Sequence, residues 1–98
     1  MEIKELKTKI KVKFPEESEI FMAEEFLEEL NKVDISSKAV ELDFSDVNSL
    51  DTVFLQIAAS IIKKVNTTDN SVSLKSSEIL ENAEALYGIK LNSLVGGN

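Results

Sequence analysis

One short segment, residues 43–52, gathers most of the side chains that could take part in chemistry. It reads Asp-Phe-Ser-Asp-Val-Asn-Ser-Leu-Asp-Thr and leads from an alternating apolar segment into a long apolar one. Its carboxylates, Asp43, Asp46 and Asp51, could hold Mg²⁺, which prefers hard oxygen ligands, or could cap turns and a helix by accepting backbone hydrogen bonds. Thr52 opens the long apolar segment. If that segment is a helix, the free N–H groups and positive dipole end at its start would stabilise a phosphoryl group on Thr52, and they would equally suit an unmodified helix start.

The residue types that the chain lacks exclude most catalytic chemistry. It contains no Cys and no His, and it also lacks Arg and Trp. Thiol nucleophiles, zinc–thiolate sites and imidazole-based triads are therefore excluded, as are guanidinium clamps on phosphate. We accordingly expect a protein that is not an enzyme and that needs no cofactor and no metal.

Length and charge narrow the class of protein further. The 98 residues, of which 43% are hydrophobic, suffice for one globular domain over residues 1–98, with residues 95–98 expected to fray. The net charge of −7 repels nucleic acid and anionic membranes, so a protein partner is expected instead. No apolar run is long enough for a transmembrane helix, and the first residues carry no apolar signal core. These features favour a cytoplasmic location.

Three segments alternate apolar and polar residues with period two, as strands with one buried face do. They are residues 10–14, 39–44 and 71–75. The polar positions of the first are Lys9, Lys11 and Lys13. These lysines form a solvated strand face or a guarded sheet edge or, alternatively, a site for a polyanion. Residues 18–20 fit either a short strand or a turn.

Three other segments follow the helical period, over residues 21–33, 52–65 and 77–87. The first has four glutamates opposite its apolar stripe: Glu24, Glu25, Glu28 and Glu29. They form either a solvated face or half of a metal site that needs a second acidic helix. The alternation of strands and helices predicts an α/β fold, with a mixed sheet of about four strands packed with at least three helices.

The middle helix, Thr52–Val65, is apolar around most of its circumference, although a helix on one face of a sheet buries little more than one stripe. We expect the stripe Leu55–Ile62 to face the core and a neighbouring stripe to remain partly exposed. The candidate partner interface is then Val53, Phe54, Ile57 and Ile61. Such a patch would bind a protein partner or a second copy of the chain, unless the first helix or the C-terminal tail covers it.

The order of these segments resembles the STAS domain family, named for sulfate transporters and anti-sigma-factor antagonists. The family carries a strand ending Asp-x-Ser, then an apolar residue, then Asp-Ser or Asp-Thr at the start of a helix. The matching positions here are Asp43, Ser45, Val47, Asp51 and Thr52. The similarity extends over residues 8–92, with residues 20–30 matching the family's first helix and residues 71–89 its last strand and helix.

The resemblance implies a regulatory protein–protein interaction module rather than an enzyme. In the antagonists, a partner serine kinase phosphorylates the Ser or Thr after the second Asp, and the unphosphorylated form binds this kinase and frees a sigma factor. Thr52 is the matching phospho-acceptor. The residues adjacent to it are Asp43, Ser45, Asp46 and Asp51. Phe54 stands where the family usually has Gly, and its large side chain would either obstruct the approach to Thr52 or form part of a different docking surface.

A second interpretation follows from the same resemblance. Similar single-domain proteins are subunits of lipid-transporting ABC complexes or of chemotaxis-type signalling clusters, and many of them carry Asp-Thr, as this chain does at Asp51 and Thr52. The chain would then be a structural or regulatory subunit that is not phosphorylated.

Overall fold

The computed structural model describes residues 2–95, which contain six strands and four helices. In chain order they are β1 (Glu2–Glu5), β2 (Lys9–Lys13), β3 (Glu17–Ser18), α1 (Ile20–Leu30), β4 (Ala39–Asp43), β5 (Ser49–Leu50), α2 (Thr52–Asn66), β6 (Val72–Lys75), α3 (Glu78–Tyr87) and α4 (Leu91–Val95). The tail expected to fray begins at Val95, which instead ends α4 and packs partly against the core. The rest of that tail, residues 96–98, lies outside the described residues.

Four strands form one mixed sheet in the order β1-β2-β4-β6. Strands β2, β4 and β6 are parallel, with Val12 opposite Leu42 and Leu42 opposite Leu74. Parallel neighbours need a long crossover, and α1 and α2 supply the two crossovers. β1 pairs antiparallel with β2. The predicted α/β class, with a mixed sheet of four strands and at least three helices, is confirmed.

The helix ends follow from local sequence. α2 starts at Thr52, as predicted, and α3 is capped by the Ser77 hydroxyl, which accepts a hydrogen bond from the N–H of Leu80 at 3.2 Å. Gly88 follows α3 with a φ of 72°, a left-handed conformation that glycine adopts without steric cost. These caps explain why the sequence locates α2 and α3 to within one residue at each end, whereas α1 ends at Leu30 and not at residue 33, and α4 was not predicted.

The short helix α4 is docked by polar contacts as well as by apolar burial. The buried carboxylate of Glu84 accepts a hydrogen bond from the N–H of Leu91, the first residue of α4. At the other end of α4, the Asn66 side-chain amide donates to the Leu94 carbonyl at 2.8 Å. The Leu91 side chain is fully buried, so it anchors this end of the described chain in the core.

The core lies between one face of the sheet and the helices, and an aromatic cluster closes one end of it. Phe14 and Phe44 follow β2 and β4 and stack with ring centroids 4.1 Å apart. Phe26 from α1 stacks on Phe14 at 5.0 Å, and Phe54 from α2 meets Phe26 edge to face at 5.2 Å. Aromatic pairs in these geometries contribute beyond the area they bury, so the cluster ties both crossover helices to the sheet.

The opposite face of the sheet is charged. Lys9, Lys11 and Lys13 alternate with the buried residues of β2, and the register places Lys4 and Lys75 on the same side. We call this surface, made by Lys4, Lys9, Lys11, Lys13 and Lys75, the basic face. Because β2 lies between β1 and β4, its lysines form a solvated face and do not guard a sheet edge.

None of the helices within residues 2–95 combines the length and the apolar character needed to cross a membrane.

Candidate functional site

The carboxylate of Asp51 joins the starts of two helices. One of its oxygens accepts hydrogen bonds from the N–H groups of Val53 at 3.1 Å and Phe54 at 3.4 Å, which caps α2. The other oxygen accepts from the N–H of Ile20, the first residue of α1, at 2.7 Å. Four backbone N–H groups lack a partner at each helix start, and one side chain here satisfies donors on both helices.

A small parallel sheet holds this arrangement in place. Strand β3 pairs with β5, with Glu17 opposite Ser49 and Ser18 opposite Leu50. The N–H of Asp51 donates to the carbonyl of Ser18 at 3.0 Å, which continues the pairing up to the helix starts. The segments before α1 and α2 are therefore bonded to each other at backbone level, and both helices point their N-termini at one small surface.

Thr52 lies in that surface as the first residue of α2, and its side chain is partly exposed. Phe54 turns away from it, because Phe54 is fully buried in the aromatic cluster. The residue in the family's glycine position therefore does not stand over Thr52.

The predicted partner interface needs correction. Phe54 is 0% exposed and Ile61 is 2% exposed, so neither is available to a partner of the folded chain. The prediction assumed that α2 is covered from one side only, but α1 packs on it as well and Phe26 contacts Phe54. Val53 and Ile57 remain half-buried. The Leu55–Ile62 stripe faces the core as predicted.

The group of residues expected beside Thr52 divides into two. Asp51 bonds to the start of α2, whereas Asp43 projects to the basic face, since its neighbours Leu42 and Phe44 are both buried in the core. Asp43 lies 3.7 Å from the Lys11 ammonium, and Asp46 lies 2.8 Å from that of Lys13. Ser45 lies beside Asp43 and not beside Asp51.

Ser45 fixes the position of the Asp43 carboxylate, because its N–H donates to one oxygen at 2.8 Å. Burial by itself would raise the pKa of Asp43, but hydrogen bonding from Ser45 and the charges of Lys75 and Lys11 outweigh it and hold that pKa below its ordinary value. Asp43 is therefore a charged structural residue of the basic face.

Residues 2–95 contain no group of three acidic side chains placed to hold a metal ion. The three carboxylates for which Mg²⁺ was an alternative, Asp43, Asp46 and Asp51, have lysines or backbone N–H groups as partners instead. Within the same residues, no second acidic helix joins the α1 glutamates in such a group. The capping interpretation holds for Asp51.

The sequence interpretation missed an exposed apolar pair beside this site. Ile20 and Phe21 open α1 and are 67% and 64% exposed. Phe21 is the one phenylalanine of the five in the chain that lies outside the aromatic cluster. Exposed large apolar side chains next to each other are typical of interaction surfaces, and these two lie at the helix start that Asp51 holds.

A cleft of about 540 Å³ lies next to the same helix start. It is lined by Lys13, Phe14, Pro15, Glu16, Glu17, Met22 and Asp46. Apolar side chains from the end of β2 and from α1 are combined there with carboxylates, so the cleft suits an apolar or basic side chain of a partner better than an anionic ligand.

Comparison with known proteins gives no assignment, since no protein-family model, no curated protein and no solved structure matches this chain.

Proposed function

We propose that this chain is a regulatory protein–protein interaction module of the STAS type, similar to the anti-sigma-factor antagonists, and that Thr52 is its phospho-acceptor. The observation that carries the proposal is the double hydrogen bonding of Asp51. This bonding brings Thr52, a partly exposed residue at the start of α2, close to the exposed apolar side chains at the start of α1.

The partner surface then consists of Ile20, Phe21 and Thr52, with the neighbouring cleft. The apolar pair supplies the anchor that protein interfaces commonly have near their centre. A phosphoryl group on Thr52 would add about two negative charges next to the Asp51 carboxylate. This change is large enough to weaken the docking of a partner whose surface matches the unmodified site.

Phosphorylation is tested by intact-mass measurement of the protein purified from its native host. A mass increase of one phosphoryl group that disappears in Thr52→Ala, but not in Thr67→Ala on the exposed end of α2, supports the assignment. A protein that carries no phosphate under any growth condition, and that a serine kinase encoded beside it does not modify in vitro, contradicts it.

Partner binding is tested with the recombinant serine kinase or anti-sigma factor encoded nearest to the gene. Thr52→Glu and Phe21→Ala should each weaken binding at least about tenfold, an interface loss near 1.4 kcal/mol, and Thr52→Ala should leave it unchanged. Leu86→Ala is the matched control, because Leu86 is 75% exposed on α3. Equal losses for Phe21→Ala and Leu86→Ala would contradict the proposed surface.

The second candidate is an unphosphorylated subunit of a lipid-transporting ABC complex or of a chemotaxis-type cluster. The hydrogen bonds from Val53 and Phe54 to Asp51 favour it, because they occupy N–H groups at the start of α2 that would otherwise stabilise a phosphate. It predicts that the chain co-purifies with transporter or receptor-cluster subunits, and that Phe21→Ala weakens this association while Thr52→Ala and Thr52→Glu behave alike.

A further inference from the structure

We propose that the partner of the Thr52 surface is a basic protein segment, which packs an apolar side chain on Phe21 and inserts a lysine or arginine side chain into the neighbouring cleft. This inference rests on the proposed function for the position of the partner surface, and it adds the chemistry that the partner must have. It does not depend on whether Thr52 is phosphorylated.

The cleft combines apolar groups at its base with carboxylates at its opening. Pro15 is buried and Met22 is half-buried, whereas Glu16 and Glu17 are exposed, and all four residues line the cleft. Lysine and arginine side chains carry a charged group at the end of an apolar stem. Such a side chain can therefore lay its stem on Pro15 and Met22 while its charged end meets the two glutamates.

The cleft keeps a negative charge after its internal ion pair is counted. Lys13 also lines it, but the ammonium group of this lysine lies 2.8 Å from the carboxylate of Asp46, another lining residue. In the part of the chain that the structure describes, no lysine lies within ion-pair distance of Glu16 or Glu17. These two carboxylates favour a cationic side chain of the partner over an anionic one.

Glu25 connects the cleft to the exposed apolar pair. Side chains three and four positions apart are neighbours on a helix, so Glu25 adjoins both Met22 of the cleft and Phe21. Glu24 and Glu28 lie on the same side of α1 as Phe21, and all three glutamates are exposed. None of them forms an ion pair with a lysine of the described residues. Phe21 is therefore an apolar contact point bordered by carboxylates.

A partner complementary to this surface has an apolar side chain with basic residues beside it. Protein interfaces commonly have an apolar centre and a polar rim, and here the rim on this chain is acidic. Complementary charge speeds the encounter of two proteins and disfavours partners of the wrong sign. The net charge of −7 acts in the same direction at longer range.

The position of Thr52 agrees with such a partner. The hydrogen bond from Ile20 to Asp51 brings Thr52 close to the apolar pair, so the apolar part of the partner lies nearest to Thr52 and its basic residues lie at the cleft and along α1. A phosphoryl group on Thr52 would then be covered by apolar groups and lose its hydration, which disfavours docking.

Two short peptides of equal length test this chemistry without assuming which protein is the partner. One consists of leucine and lysine, and the other of leucine and glutamate in the same order. Each is titrated into the isotope-labelled chain at about 0.1 M salt, and backbone amide NMR shifts are followed. The lysine peptide should shift the amides of Glu16, Glu17 and the first two turns of α1, with saturation below about 1 mM. The glutamate peptide should shift none of them.

Removal of charge identifies the carboxylates. Glu16→Gln with Glu25→Gln keeps the side-chain size and should weaken binding of the lysine peptide at least about fivefold. Asp69→Asn with Glu81→Gln makes the same charge change at exposed positions on other surfaces and should bind like the wild type. Circular dichroism melting checks that all variants are folded. No binding of the lysine peptide at about 1 mM, shifts confined to other surfaces, equal binding of the glutamate peptide, or equal affinity of the two double variants would each overturn the proposal.

Failure of the proposed function gives a different result. If the kinase or anti-sigma factor encoded nearest to the gene does not bind, the proposed function loses its partner, while the peptide titrations still decide the chemistry of the surface. If that protein binds and Phe21→Ala weakens it, but Glu16→Gln with Glu25→Gln does not, the proposed function stands and the basic partner is excluded.

Discussion

Asp51 accepts a hydrogen bond from the backbone N–H of Ile20 at 2.7 Å, although the two residues are 31 positions apart in the chain. The same carboxylate caps α2, so the start of one helix is positioned by the residue that starts the other. An N-cap aspartate usually stabilises a single helix. Here it also fixes which surface residues accompany Thr52.

Substitution of Asp51 should separate these two roles. Asp51→Ala removes both, and should lower the free energy of unfolding by about 2 kcal/mol. Asp51→Asn keeps one oxygen that can cap α2 but loses the acceptor for Ile20, and should cost about 1 kcal/mol. Urea unfolding measures the total change in the free energy of unfolding for each variant.

Hydrogen exchange of backbone amides locates the effects. In Asp51→Asn, the first turn of α1 should exchange faster while the first turn of α2 keeps its protection, and in Asp51→Ala both should exchange faster. Unchanged exchange in α1 for both variants would show that the contact with Ile20 contributes nothing to its stability.

Phe54→Ala should be strongly destabilising, by about 3–5 kcal/mol, because it opens a cavity in the aromatic core. Phe21→Ala removes the same side chain from an exposed position and should change stability by less than about 1 kcal/mol. Chemical denaturation of the two variants provides the comparison. A similar loss of stability in both variants would contradict the burial of Phe54 in the core.

Glu84→Ala should release α4, because it leaves the buried N–H of Leu91 without its acceptor, at a cost of about 1–3 kcal/mol. Glu84→Gln retains an acceptor oxygen and should cost less. The expected local effect is loss of amide protection in α4 in the alanine variant, measured by hydrogen exchange. If the alanine and glutamine variants prove equally stable, the hydrogen bond is not what holds α4.

Asp43 should make stability depend on pH in acid. Its pKa in the folded state is lower than the ordinary value of 3.8, so the unfolded chain binds more protons between the two values and stability rises with pH there. The contribution of Asp43 is complete above the ordinary pKa and is lost as pH falls through the lowered one.

Urea unfolding from about pH 5 to about pH 3 checks this dependence. The wild type should lose more stability over that range than Asp43→Asn does. A wild-type curve parallel to that of Asp43→Asn would contradict the prediction.

The sequence predicted those elements whose signals are local. The period-two segments became β2, β4 and β6, and α2 and α3 lie within one residue of the predicted bounds, 52–65 and 77–87. β1 was missed because Ile3 is its one apolar residue, and its pairing depends on the edge that β2 offers. A strand that forms mainly because a neighbouring strand offers pairing partners has only a weak pattern in its own sequence.

The candidate site was predicted in part. Thr52 and Asp51 were placed correctly at a helix start, since an N-cap depends on adjacent residues. Phe54 was placed on the surface because the helical period gives the stripes of α2 but not which other elements cover them. The bond from Ile20 to Asp51 joins distant segments, and no local pattern could have indicated it.

The alternation of lysine with apolar residues in β2 also matters while the chain is still folding. β1 and β2 are joined by a short connection and pair antiparallel, so their hairpin can form within microseconds. β4 can join β2 only after the chain of α1 has crossed over. During that interval, the edge of β2 that later receives β4 lies open on a newly made chain. Charged side chains at every second position discourage such an edge from pairing with another nascent molecule, so these lysines protect the chain against aggregation before the native sheet exists.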